Sequence, residues 1–103
     1  INVPLPAGTN SLLFKKSYED IIFPKLKKFA PDVIFISAGF DAHIDDPLAD
    51  FRLTKSDFYW ITKELNKLSI KYCKGKLISC LEGGYNIKAL SESCLEHVKG
   101  LIL

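Results

Sequence analysis

The run Asp32-Val33-Ile34-Phe35-Ile36-Ser37 decides the fold. It is short, continuous and apolar, and most of its residues are β-branched or aromatic. Such a run suits a strand buried on both faces, as in a parallel sheet. Lys76-Leu77-Ile78-Ser79-Cys80-Leu81 is a second run of the same kind, closed by Gly83-Gly84. Between the two lies a segment with Phe58, Ile61, Leu65 and Leu68 on one helical face, opened by a capping box at Thr54 and Asp57 and ending near Gly75. Two apolar strands separated by a helix of that length make a βαβ unit with a right-handed crossover. Asp41 follows the carboxyl end of the first strand, and Gly83-Gly84-Tyr85 follows that of the second. In a parallel sheet both ends lie on one edge, where open α/β sheets place their ligands. Two loops far apart in sequence therefore face one crevice.

Upstream of the first strand, Asn2 to Thr9 is punctuated by Pro4, Pro6 and Gly8 and reads as an irregular loop. Ser11 to Phe29 carries Phe14, Tyr18, Ile21, Ile22, Leu26 and Phe29 at helical spacing. Pro24 should interrupt that helix or begin a second short one, because it lacks an N–H and disfavours helical geometry just before it. Downstream, a last helix from about Asn86 shows Ile87, Leu90, Cys94, Val98 and Leu101 on one stripe. No repeat, low-complexity stretch or linker divides residues 1–103, which read as one unit.

Composition narrows the function classes. The chain is 48% hydrophobic and 25% charged, with a net charge of +2 and no run long enough to span a membrane. That balance argues for no direct nucleic-acid partner and no membrane partner. Arg52 is the lone arginine among many lysines, which suits a compositional bias better than bidentate phosphate recognition. The three cysteines, Cys73, Cys80 and Cys94, show no CxxC spacing, so a disulfide framework or zinc knuckle is not expected and a reducing compartment is. Cys80 and Cys94 sit in apolar runs and read as small core residues. The compartment expected is the cytoplasm, or the nucleus in a eukaryote. Because the chain starts at Ile1 and has no Met, it is expected to be a processed product or a piece of something longer.

Two segments could carry chemistry. In Ser37-Ala38-Gly39-Phe40-Asp41-Ala42-His43-Ile44-Asp45-Asp46-Pro47-Leu48, a glycine permits close backbone approach and an acid follows at once, with further acids and a histidine nearby. These residues suit either a solvated loop whose aspartates cap turns or oxygen and nitrogen ligands for a divalent metal such as zinc. In Leu81-Glu82-Gly83-Gly84-Tyr85-Asn86, the Gly-Gly turn could place a phosphate on a helix N-terminus, but no GxGxxG or GxxxxGK[ST] pattern accompanies it and no basic residue sits near it. Asn86 reads as a helix cap. Tyr85 is either an exposed cover for the sheet end or a neutral donor able to stabilise an oxyanion.

Taken together, SAGFDAHIDDPLA (37–49) and LEGGYN (81–86) resemble the signature of histone deacetylase-like amidohydrolases, the class II and bacterial type in particular. The lead-in NVPLPAGT, the stretch IIFPKLKKFAPDVIF and the FRLT before the middle helix fit the same pattern, so the resemblance covers essentially the whole chain. It implies the arginase–deacetylase α/β fold, a three-layer sandwich around a parallel sheet, of which this chain would be a C-terminal portion. It also implies roles. Asp41 matches the second zinc-binding aspartate, and Tyr85 the tyrosine that polarises the scissile carbonyl and holds the tetrahedral intermediate. Gly84 matches a glycine lining the acyl channel, and Leu48 a hydrophobic residue of the channel wall. A Tyr at 85, rather than the His of a weakly active subgroup, implies a competent parent enzyme. Asp41-Ala42-His43 has the spacing of the family's first zinc pair, but that pair lies earlier in the family's chain, and His43 matches a loop position outside the metal shell.

The reaction so implied is hydrolysis of an N-acetyl amide of acetyl-lysine or a small acetylated amine, with Zn2+ held by two Asp and one His and a His as general base. The His-His pair that supplies the base, and the first Asp-x-His, are absent from this sequence. Catalytic zinc ordinarily takes three protein ligands, so the chain by itself is expected to be inactive, with the remainder of a catalytic domain as its partner. Its two strands would leave sheet edges exposed. The alternative is a non-catalytic module that binds a partner through that open edge.

Overall fold

The computed structural model describes residues 1–102, and its elements follow the expected alternation. Helix α1 (Ser11–Ser17) passes through a π-helical turn (Tyr18–Ile22) into α2 (Phe23–Phe29). Pro24 stands in the first turn of α2, where its missing N–H costs nothing, and the widened turn before it absorbs the restriction that proline imposes. Strand β1 (Ile34–Ala38), helix α3 (Lys55–Cys73), strand β2 (Leu77–Leu81) and helix α4 (Ile87–Leu101) complete the chain. β1 and β2 pair in parallel, from Ile34 opposite Leu77 to Ala38 opposite Leu81. Both carboxyl ends therefore emerge on the same edge. Among the described residues no helix is long and apolar enough to cross a membrane.

The capping box forms: the Asp57 carboxylate accepts from the backbone N–H of Thr54 at 2.8 Å. It does more than the sequence suggested. The same carboxylate is buried, accepts from the Ser11 hydroxyl at 2.5 Å and lies 3.6 Å from Lys15 Nζ, so it ties the start of α1 to the start of α3. A buried carboxylate is tolerable only when so partnered.

Two apolar clusters fill the space between sheet and helices. Phe23, Ile34, Leu68 and Cys73 form one, with Trp60, Ile61 and Leu65 packed against it. Ala38, Phe40, Leu53 and Phe58 form the other, directly beneath the β1 edge. Burial of both strand faces does not hold within this chain. Ile34, Ile36 and Ala38 turn toward the helices, whereas Phe35 (66% exposed) and Ile78 (47% exposed) form an uncovered face. Cys80 lies on that face and is exposed, contrary to its reading as a core residue; Cys94 is partly buried and packs on the second cluster. The physical reason is that all four helices supply one layer, and an apolar strand needs two.

The last helix also departs from its apolar stripe. Ala89, Ser93, His97 and Gly100 are buried, while Ile87 and Val98 are exposed. Close approach of α4 to α3 selects small residues: a Cβ at Gly100 would meet Thr62 Cβ at 2.8 Å. His97 sits in this seam. The Thr62 hydroxyl donates to Phe58 O at 2.6 Å, so it accepts from His97 Nδ1–H, also at 2.6 Å. That leaves Nε2 to accept from the Ser79 hydroxyl at 2.8 Å, a neutral ring bridging α3, α4 and β2.

Burial lowers the His97 pKa from its ordinary value. The unfolded chain, whose histidine titrates near 6.5, then binds more protons than the folded one as pH falls. This contribution to stability is whole above about pH 6.5 and is lost as pH falls through the lowered folded value. Urea midpoints measured from pH 7.5 to 5 should fall on acidification, and more steeply than in His97→Gln. Equal slopes in the two proteins would remove His97 as a cause.

Candidate active site at the carboxyl edge of the parallel pair

The edge is built around one carboxylate. Asp41 lies in a short 3-10 turn (Phe40–Ala42) immediately after β1, and Phe40 anchors that turn by donating its N–H to Gly83 O at 2.9 Å. The two loops are thus joined backbone to backbone. The Asp41 side chain fits between two glycines. A Cβ added at Gly83 would stand 2.7 Å from both Asp41 Cγ and Oδ1 and 3.0 Å from Oδ2; one at Gly39 would stand 2.8 Å from Oδ1. Distances under 3.0 Å are essentially never seen for a Cβ, so a side chain at either glycine would displace the carboxylate, and the two glycines together leave it its slot.

Beyond Gly83 the chain turns through Gly84, whose φ of 142° lies in the region that favours glycine. A side chain there would also meet Leu90 Cδ1 at 2.7 Å. Tyr85 follows and is 56% exposed at the mouth. Asn86 then caps α4, accepting from Ala89 N at 3.0 Å, while its Nδ2 donates to Asp45 O at 3.2 Å. The loop after Asp41 returns across the same mouth and carries Leu48, which is also exposed. The structure therefore brings Asp41, Gly84, Tyr85 and the loop of Leu48 to one edge, although they come from opposite ends of the βαβ unit.

Asp46 links the two loops. Its Oδ2 accepts from Tyr85 N at 2.8 Å and its Oδ1 from Leu48 N at 2.9 Å. Sequence reasoning missed it. Asp46-Pro47-Leu48 carries a local signal for the second bond, an Asx-type turn, but nothing local signals the first. His43 is engaged within its own loop: it is buried, and its Nδ1 accepts from Asp45 N at 3.0 Å.

The residues present fit part of a metal centre. Among the described residues, the Asp41 carboxylate takes no donor from a side chain or an amide, which leaves its oxygens available as hard ligands. Also among the described residues, no three His, Cys, Asp or Glu side chains gather closely enough to hold a metal ion.

Comparison with known proteins gives a consistent picture. A family model described as "Histone deacetylase domain" matches residues 1–101. The chain is 38% identical over 102 residues to histone deacetylase 14, chloroplastic, of Arabidopsis thaliana, covering 99% of this chain and 24% of that protein. It is 41% identical over 105 residues to type-2 histone deacetylase 2 of Dictyostelium discoideum, covering 99% of this chain and 6% of that one. Among solved structures, the HDA15 HD domain superposes with a TM-score of 0.89 at 34% identity, over 98% of this chain and 28% of its own. The chain thus spans about a quarter, or less, of the length of these relatives.

Proposed function

The chain belongs to the histone deacetylase family and has the arginase–deacetylase α/β fold, and on that footing we propose that it is a C-terminal portion of a zinc-dependent amidohydrolase domain. The observation that carries this reading is the Asp41 carboxylate, seated between Gly39 and Gly83 on the same edge as Tyr85. In the complete domain Asp41 holds one position of a zinc ion whose other protein ligands come from outside this chain. That ion, when bound, supplies Lewis-acid polarisation of the acetyl carbonyl and a water of lowered pKa.

This chain's own residues do the rest of what falls to them. Gly39 and Gly83 fix where the carboxylate stands. The Tyr85 hydroxyl donates a hydrogen bond to the carbonyl oxygen as negative charge develops on it. Gly84 and Leu48 line the passage for the acyl-bearing chain, an acetylated lysine or a small acetylated amine. The general base is supplied from elsewhere in the domain, so the 103 residues alone are inactive. The uncovered face with Phe35 and Ile78 is where the remainder of the domain packs. The unpaired edges of the two-stranded sheet are what would favour the alternative, a non-catalytic module that binds a partner through its open sheet edge. The expected compartment is the cytoplasm, or the nucleus of a eukaryote.

Zinc content and turnover of a fluorogenic acetyl-lysine substrate, measured for this chain and for a form extended upstream, separate the two readings. The deacetylase reading expects zinc and turnover in the extended form alone. Zinc binding and activity in the short chain would overturn the assigned roles and return His43 as a ligand; neither in the extended form would favour the module.

A further inference from the structure

We infer that Asp46 is a positioning residue, a strut that sets Tyr85 against the channel wall at Leu48. The inference rests on the reading of Tyr85 as oxyanion donor. Tyr85 lies in neither β2 nor α4, and it follows Gly84, whose backbone conformation offers no side chain to hold it. The segment is pinned before Tyr85 by Gly83 O, which accepts from Phe40 N at 2.9 Å, and after it by Asn86 Nδ2 on Asp45 O at 3.2 Å. At Tyr85 itself the bond is the one to Asp46 Oδ2, 2.8 Å from the Tyr85 amide.

The other oxygen of that carboxylate is spent on Leu48 N, at 2.9 Å. One rigid side chain therefore sets the spacing between the loop that carries the donor and the loop that carries the wall. A carboxylate suits the task because both of its atoms accept, and a charged acceptor strengthens each bond. Asparagine cannot replace it fully, since its NH2 would face one of the two amides. Pro47, held between the anchored Asp46 and Leu48, stiffens the loop further. Loss of the strut frees the Tyr85 hydroxyl to move by about an ångström, a displacement that costs up to roughly 10²-fold in rate.

The test uses the complete zinc-loaded protein that carries this chain. kcat and KM for an acetyl-lysine substrate are measured in wild type, Asp46→Ala, Asp46→Asn, Tyr85→Phe and the Asp46→Ala/Tyr85→Phe double variant. Amide hydrogen exchange at Tyr85 and Leu48 is followed by NMR in the same proteins. Asp46→Ala should lower kcat about 10-fold to 100-fold, with Asp46→Asn between it and wild type. On the Tyr85→Phe background the same change should cost less than about threefold in kcat, because the hydroxyl it positions is gone. A rise in KM should persist in both backgrounds, since Leu48 still loses its anchor. Both amides should exchange faster without Asp46.

Unchanged exchange at both amides would overturn the strut itself. Faster exchange with an unchanged kcat, or losses that multiply in the double variant, would overturn its positioning role and leave Tyr85's intact. A Tyr85→Phe enzyme with wild-type kcat would overturn the reading of Tyr85, and this inference with it.

Discussion

Tyr85→Phe, made in the complete enzyme, should lower kcat and kcat/KM together by about 10²–10³-fold while leaving KM close to its original value. The substitution removes one oxygen and nothing else. Tyr85 is exposed and belongs to neither apolar cluster, so the fold does not depend on its ring. Its backbone N–H, which holds the loop to Asp46, survives in phenylalanine. On the proposed reading, what disappears is a donor whose bond strengthens only as the carbonyl oxygen gains charge, and the loss of such a bond shows in kcat rather than in binding. Steady-state kinetics at saturating substrate decide the matter. A raised KM with unchanged kcat would mean that Tyr85 binds substrate without stabilising the transition state.

The βαβ unit and the meeting of Asp41 with Gly83-Gly84-Tyr85 were legible in the sequence because their signals are local. Apolar runs of strand length, a capping box and a helical period of apolar residues each act within a few positions, and parallel pairing then dictates a shared edge. What was not legible depends on partners distant in sequence. The buried face of α4 runs through Ala89, Ser93, His97 and Gly100, because a neighbouring helix at close range demands small side chains rather than large apolar ones. His97 closes a bridge between Thr62 and Ser79, partners on other elements that no local pattern announces. The exposed Cys80 and Phe35 show the converse: a run apolar enough for burial on both faces says nothing about which chain segment supplies the second cover. In the site, Gly39 was legible as a place of close approach, but not as one wall of a slot whose other wall is Gly83. Asp46 lay in plain sight among the four aspartates between β1 and α3, and only the fold distinguishes it from Asp45.

Gly83 offers the other large effect, and a clean one. Its φ is not among the positive values of the chain, so alanine suits its backbone. The obstacle to alanine there is the Asp41 carboxylate, 2.7 Å from the new Cβ at both Cγ and Oδ1. The carboxylate must rotate out of the slot, by a distance several times the roughly 0.2 Å that metal–ligand bonds tolerate. Gly83→Ala should therefore lose most of its zinc and about 10²-fold or more of its activity, while its circular dichroism and solution size stay those of wild type.

The zinc content of purified Gly83→Ala, measured beside wild type in the complete enzyme, asks most directly whether the two loops build one metal-centred site around Asp41. About one zinc ion per chain in wild type, and a small fraction of that in a folded Gly83→Ala, is the expected result. Equal zinc in the two proteins, with equal turnover, would mean that Asp41 in its glycine slot does not hold the metal.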